Sequence, residues 1–280
     1  MEYLYSVLET LLPFSWVKFD FMKNAFLAVL LLTPLFSIIG TMVVENKLAF
    51  FSDALGHSAL TGIAVGMLLG IAETTLATVL FAIVFAWLLN MIRRTRAVAG
   101  DTVISVFSST AVALGLVLLS SQGNFTKYST YLIGDILTIR PQEVGMLLAV
   151  FIIVIPLYLA GYNRLLAMTV NMSLARTRQI PVRFLESIFI IMIAVAVTVS
   201  IKWVGILLVN SLLILPGAAA RNLARNMKEY HLWALCFALA SGFSGLILSY
   251  YYSFATGPAI VLVNAAFFFL THLVKNKIRR

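Results

Sequence analysis

The chain has 280 residues, of which 61% are hydrophobic and only 11% are charged, and its formal net charge is +9. Soluble domains are typically about 45–50% apolar and about 25% charged, so this composition excludes an ordinary soluble domain. It predicts an all-α polytopic membrane protein. The basic residues stand in short clusters between apolar runs and not in a stripe with interleaved aromatic residues, which argues against nucleic acid as a partner.

Nine apolar runs follow one another, each near the roughly 20 residues that a membrane helix needs. They lie near 25–44, 50–71, 74–92, 102–121, 142–160, 184–200, 203–220, 231–252 and 258–274. We expect eight or nine transmembrane helices in one bundle, as a single transmembrane domain over 24–280. An amphipathic lead-in over 1–23 precedes it, and the absence of a basic N-terminal region there is unlike a cleavable signal peptide.

The basic residues also orient the predicted helices. With nine spans and a cytoplasmic C-terminus, 15 of the 20 Lys and Arg residues fall on the cytoplasmic side and five on the other side. An excess of Lys and Arg in cytoplasmic loops is the usual pattern of membrane proteins.

Two loops are long, the outer one near 122–141 and the cytoplasmic one near 161–183. Pro34, Pro156 and Pro216 lie inside apolar runs, where proline is expected to kink or interrupt a helix.

The second run carries two ionisable residues, Asp53 and His57, in an otherwise apolar stretch. An ionisable side chain at bilayer depth costs about 2.5–3.5 kcal/mol on insertion scales, so it needs a partner or a function. Residues four apart share one helix face, and a carboxylate with an imidazole suits zinc, manganese or iron. The alternative is that the two residues simply pair with each other near the membrane interface. One such helix supplies only two ligands, so a closed site would need another span, another copy of the chain or water.

Other polar and small residues allow weaker predictions. A row of small residues at every fourth position should let a second helix approach closely: Ala54, Ser58, Gly62, Gly66 and Gly70. Asn210 and Ser211 lie inside the seventh run and could line a pore, although a hydrogen bond between helices is the commoner role. Asp101 precedes the fourth run, where it is expected to cap the helix.

Motifs for an enzyme are absent from the sequence. It contains no G-x-x-x-x-G-K-[ST] phosphate-binding loop and no H-E-x-x-H zinc-protease helix, so an intramembrane enzyme or a built-in ATPase is unsupported. The acid–imidazole pair could also belong to a self-sufficient secondary metal carrier, which would need no ATPase. Such carriers normally place His, Asp and Glu ligands on two or more spans, whereas this chain concentrates its acid–imidazole pair on one.

Five sequence blocks occur in order along the chain. They are SDALGHSALTGIAVG (52–66), DTVISVFSSTAVALGLVLLS (101–120), YLIGDILTIRP (131–141), VGILLVNSLLILPGAAAR (204–221) and SYYYSFATGPAIVLV (249–263). In these blocks the chain resembles the integral membrane permease subunit of bacterial zinc/manganese-type ABC importers. The similarity extends over about residues 25 to 273.

This resemblance implies a plasma-membrane permease that works with a cytoplasmic ABC ATPase dimer, an extracytoplasmic metal-binding protein and a second permease chain. It implies that the transported ion passes Asp53 and His57 by alternating access, with no permanently bound cofactor. The loop around 170–181 matches the segment that docks on the ATPase. The residues expected there are Asn171, Ser173, Ala175, Arg176, Arg178, Gln179 and Pro181.

The chain departs from the family pattern at two places. The docking segment of the family usually begins with acidic residues and has a glycine before its hydrophobic–proline step. Here those positions are Asn171, Met172, Ser173 and Gln179. Asn210 replaces a small apolar residue. Either change could reflect pairing with a different permease chain in place of a second copy.

Overall fold

A computed structural model describes residues 5–6, 9–10, 14–71, 73–94, 99–121 and 134–278. Much of the expected lead-in and the outer-loop residues 122–133 therefore lie outside the described residues. Within the described ranges the chain forms α-helices and two short 3-10 helices, Ser15–Lys18 and Ile136–Thr138, and no strand. The α-helices are α1 (Asp20–Glu45), α2 (Ala49–Leu68), α3 (Thr74–Arg93), α4 (Gly100–Ser121), α5 (Pro141–Val170), α6 (Met172–Thr177), α7 (Val182–Val204), α8 (Ile206–Leu223), α9 (Met227–Tyr252) and α10 (Thr256–Ile278).

The nine predicted apolar runs each correspond to one long helix of the described chain. Eight of these helices are long and apolar enough to cross a membrane. The ninth, α2, has 20 residues but is not among the eight. It contains Asp53 and His57, which lower its mean hydropathy. The prediction of an all-α polytopic membrane protein is confirmed.

The three prolines that lie inside apolar runs do not interrupt their helices. The helices α1, α5 and α8 continue through Pro34, Pro156 and Pro216, so none of these prolines ends its helix. A proline removes only one backbone N–H, and a helix can continue around it. The break between α7 and α8 lies at Gly205, whose φ of 81° falls in the region that favours glycine.

The chain divides into two compact units. One comprises Met1–Thr41, Gly134–Ile153 and Ser211–Arg280, and the other comprises Met42–Ile133 and Val154–Asn210. In the first unit α9 packs against α10. In the second unit α2 packs against α3, α4 and α7. The single transmembrane domain expected over 24–280 stays a prediction.

Small residues bring the neighbours of α2 very close. A Cβ atom on Gly62 would lie 3.0 Å from Cα of Thr78, and one on Gly66 would lie 2.5 Å from Cβ of Ala77. Both contacts are with α3, so the predicted close approach of a second helix is confirmed. The row ends at Gly70, which terminates α2 with a φ of 67°.

Candidate metal site

Asp53 and His57 lie one turn apart on α2 and share a face, as the spacing predicted. Nε2 of His57 is 3.6 Å from Oδ1 of Asp53, which is longer than a good hydrogen bond. Tetrahedral coordination with bonds of about 2.0–2.2 Å places two ligand atoms roughly 3.4 Å apart. The observed separation is therefore close to that of two ligands of one metal ion.

Both side chains of this pair are partly exposed on a helix that is otherwise mostly buried. The exposed fraction is 48% for Asp53 and 35% for His57. The neighbouring residues Ala54 and Ser58 are fully buried. The acid–imidazole pair thus forms a polar edge of α2 that the second unit itself does not cover.

Asn210, on α8, is hydrogen-bonded to Asp53 of this pair. Its Nδ2 donates a hydrogen bond of 2.7 Å to Oδ1 of Asp53. The contact depends on a close approach, because a Cβ on Gly56 would lie 2.9 Å from Cγ2 of Ile206 and 3.4 Å from Nδ2 of Asn210. Gly205 also contributes, since its φ lets the chain turn just before α8 begins. Sequence reasoning favoured a hydrogen bond between helices for Asn210, and the acceptor turns out to be the candidate ligand itself.

Ser211, the other predicted pore residue, is buried. Its Oγ finds no hydrogen-bond partner in the part of the chain that the structure describes. Oδ1 of Asn210 is likewise buried without a partner among those residues. The structure therefore connects Asn210, but not Ser211, to Asp53 by a hydrogen bond.

A cavity of about 330 Å³ opens beside Asp53. Its polar lining consists of Asp53 from α2 and of Asp101, Ser105, Ser108 and Ser109 from α4. The expected capping role of Asp101 is wrong, because α4 begins at Gly100 and Asp101 lies within its first turn. Sequence reasoning missed this lining, although the spacing of these α4 residues already places them along one helix face.

The arrangement suits brief contact with a cation better than a closed, resident site. Carboxylate and hydroxyl oxygens and an imidazole nitrogen are all ligands for first-row divalent ions. Over the described ranges, no group of three or more His, Cys, Asp and Glu residues could hold a metal ion. An ion at Asp53 and His57 would therefore need water or a second chain to complete its coordination.

The predicted docking segment forms α6 and the turn that follows it. Asn171, Ser173, Arg176 and Pro181 are exposed, whereas Ala175 is fully buried. Arg178 and Gln179, in the turn, are exposed as well.

The turn after α6 has a left-handed residue at position 179, where the resemblance led us to expect a glycine. Gln179 has a φ of 56°, in the left-handed region that glycine adopts most easily. Its backbone N–H donates to the carbonyl of Arg176, and that of Ile180 donates to the carbonyl of Ala175. These two bonds close the end of the helix in the Schellman pattern. Gln179 thus adopts the left-handed conformation that closes α6 although it is not a glycine.

A comparison with protein families shows which family the chain belongs to. The model of the ABC 3 transport family matches residues 18–275. The chain belongs to this family. It is therefore a membrane-embedded transport subunit and not an enzyme, and ATP hydrolysis in this family is carried out by a separate component.

Individual relatives cover nearly the whole chain. The high-affinity zinc uptake system membrane protein ZnuB of Haemophilus influenzae is 32% identical over 257 residues, which span 90% of this chain and 97% of that protein. The manganese transport system membrane protein MntC of Listeria innocua is 26% identical over 261 residues, spanning 93% of each. Among solved structures, PsaBC from Streptococcus pneumoniae in complex with Fab is similar with a TM-score of 0.83 and 23% identity, covering 100% of this chain and 98% of that chain. This structural likeness shows that the present chain shares the fold of PsaBC.

Proposed function

We propose that the chain is the membrane-spanning permease of an ATP-driven importer of a divalent transition metal, zinc or manganese. The observation that supports this proposal most directly is the acid–imidazole pair on the polar edge of α2, in which Nε2 of His57 lies 3.6 Å from Oδ1 of Asp53. Membership of the ABC 3 transport family and the names of the zinc and manganese relatives support the same function. The transported ion is cargo, and it passes the pair by alternating access.

The exposure of the pair supports a second permease chain. A carboxylate that is 48% exposed cannot face lipid at low cost, so this edge of α2 must meet water or another protein. A second chain placed against it, either a copy or a related permease, would supply the missing ligands. Asn210 would then hold the Asp53 carboxylate in position through its hydrogen bond of 2.7 Å.

The proposed importer also needs an ATPase and a metal-binding protein as partners. The sequence has no phosphate-binding loop, so a cytoplasmic ATPase dimer would drive the helices through the segment 171–181. An extracytoplasmic metal-binding protein would deliver the ion. The bacterial membrane-protein relatives support a bacterial plasma-membrane location, and the distribution of Lys and Arg supports a cytoplasmic C-terminus.

Reconstitution in liposomes tests this function against the secondary carrier. The chain together with its ATPase and metal-binding protein should accumulate zinc or manganese only when ATP is present. The chain alone should show no flux down a metal gradient or a proton gradient, because its described residues include no group of three or more His, Cys, Asp and Glu side chains that could hold the ion. Gradient-driven flux through the chain alone would favour the secondary carrier.

The cavity beside Asp53 predicts a contribution from Asp101. Replacing Asp101 by Asn removes one charge from the cavity while keeping the side chain's shape, and uptake at low metal concentration should fall about tenfold. Asp101→Glu should restore most of it. Glu143 is a matched control, because it also lies in a first helical turn but on α5, and Glu143→Gln should leave uptake unchanged. Equal losses in Asp101→Asn and Glu143→Gln would show that the carboxylate only supports its helix.

A further inference from the structure

A second polar cavity, of about 340 Å³, lies beside the docking segment. Three helices meet there: the end of α3, the short α6 and the start of α7. Its charged lining consists of Arg93, Arg94, Arg176, Arg183 and Glu186, and we refer to it as the arginine cavity.

Glu186 fixes two of the four arginines. Nη2 of Arg93 lies 2.6 Å from Oε1 of Glu186, and Nη2 of Arg94 lies 2.9 Å from Oε2. The side chain of Glu186 is only 19% exposed, so these pairs are largely shielded from water. Arg94 also donates to the backbone carbonyl of Arg183 at 2.9 Å. Glu186 on α7 thus holds both arginines at the end of α3, and both oxygens of its carboxylate are used.

The other two arginines have no carboxylate partner among the described residues. Arg176 donates only to Sδ of Met172, at 3.8 Å, and no described carboxylate lies within ion-pair distance of Arg183. Four guanidinium groups against one carboxylate leave the lining with a net charge of +3. The sequence between 171 and 181 contains no Asp or Glu that could balance it.

We propose that the arginine cavity receives an Asp or Glu side chain from an acidic docking surface of the partner ATPase. A guanidinium group binds a carboxylate through two parallel hydrogen bonds, and Arg176 and Arg183 have this capacity unused. The cavity is continuous with the exposed face of α6, whose neighbour Arg178 extends the same positive charge. Because α6 belongs to the segment proposed to dock on the ATPase, an ATPase side chain is the occupant that the position favours. This inference rests on the proposed function and specifies the chemistry of the partner's surface.

Charge removal in a neutral membrane tests the proposal. The permease is placed in nanodiscs of phosphatidylcholine alone, and the ATPase subunit of the same transporter is titrated against it. The double variant Arg176→Gln/Arg183→Gln should weaken binding about tenfold or more and flatten the dependence on salt. The matched control is Arg225→Gln/Lys228→Gln, which removes the same charge from exposed residues outside the cavity. The control should change the Kd by less than about twofold.

A charge swap then identifies the partner residue. Arg176→Glu should abolish binding, and one Asp or Glu of the ATPase replaced by Arg should restore it. Equal loss in the cavity variant and the control would overturn the proposal, since only overall charge would matter.

Unchanged binding of the cavity variant would also overturn it, and an effect that appears only after phosphatidylglycerol is added would assign the cavity to a lipid phosphate. If the unmodified permease fails to bind the ATPase at all, the proposed function fails and not merely this inference.

Discussion

Asp53→Asn and His57→Gln should each reduce metal uptake at least tenfold while the transporter still assembles. Among the described residues, no group of three or more His, Cys, Asp and Glu side chains could hold a metal ion, so the loss of either member of the pair should weaken its contact with the ion strongly. The Asp53→Asn change is well matched in shape, because an amide oxygen at this position can still accept the hydrogen bond from Nδ2 of Asn210. The contact between α2 and α8 is therefore kept, and only the charge and the metal affinity are lost.

Uptake of radioactive zinc and of radioactive manganese, in cells carrying the complete transporter, measures this effect and also identifies the metal. Membrane insertion and association with the ATPase are determined for every variant. His231→Gln serves as the control, since His231 is a half-buried histidine whose Nε2 lies 2.9 Å from Oγ1 of Thr41. It should retain uptake. If uptake survives in both Asp53→Asn and His57→Gln, the pair has a structural role, and Asn210 and the outer loop become the next candidates for the path.

The sequence predicted the helices well because each membrane helix carries its own signal. A continuous apolar run of about 20 residues is a local property, and it needs no knowledge of the neighbours. The local character of this signal also explains why α2 is not among the eight helices that are apolar enough to cross a membrane. Asp53 and His57 weaken the apolar signal of that helix, and the same two residues are the proposed metal ligands.

The contacts around the pair were not predictable in the same way. Asn210 and Asp53 are 157 positions apart, and their hydrogen bond depends on the turn at Gly205 and on the close approach at Gly56. The arginine cavity also brings together residues from three separate helices. Such arrangements follow from helix packing, for which a single sequence gives only indirect signals such as a row of small residues.

The packing of α4 against α2 predicts the second large effect. Gly115→Ala should destabilise the protein, because the new Cβ would lie 2.8 Å from Oγ1 and 2.9 Å from the backbone nitrogen of Thr61. Backbone atoms cannot rotate away, so the two helices must separate, at a cost of about 1–3 kcal/mol. Separation would also strain the hydrogen bond from Thr61 to the carbonyl of Ala111.

Gly145→Ala is the matched control, since a Cβ at that exposed position of α5 would have no neighbour within 4 Å. Alanine is the better helix former by about 1 kcal/mol, so this variant should be as stable as the original protein or slightly more stable. Thermal unfolding in detergent compares the two variants directly. Because α2 and α4 also form the cavity that contains Asp53 and Asp101, Gly115→Ala should reduce uptake more than its loss of folded protein explains. A loss of uptake that only matches the loss of folded protein would mean that the spacing of α2 and α4 does not limit passage of the ion.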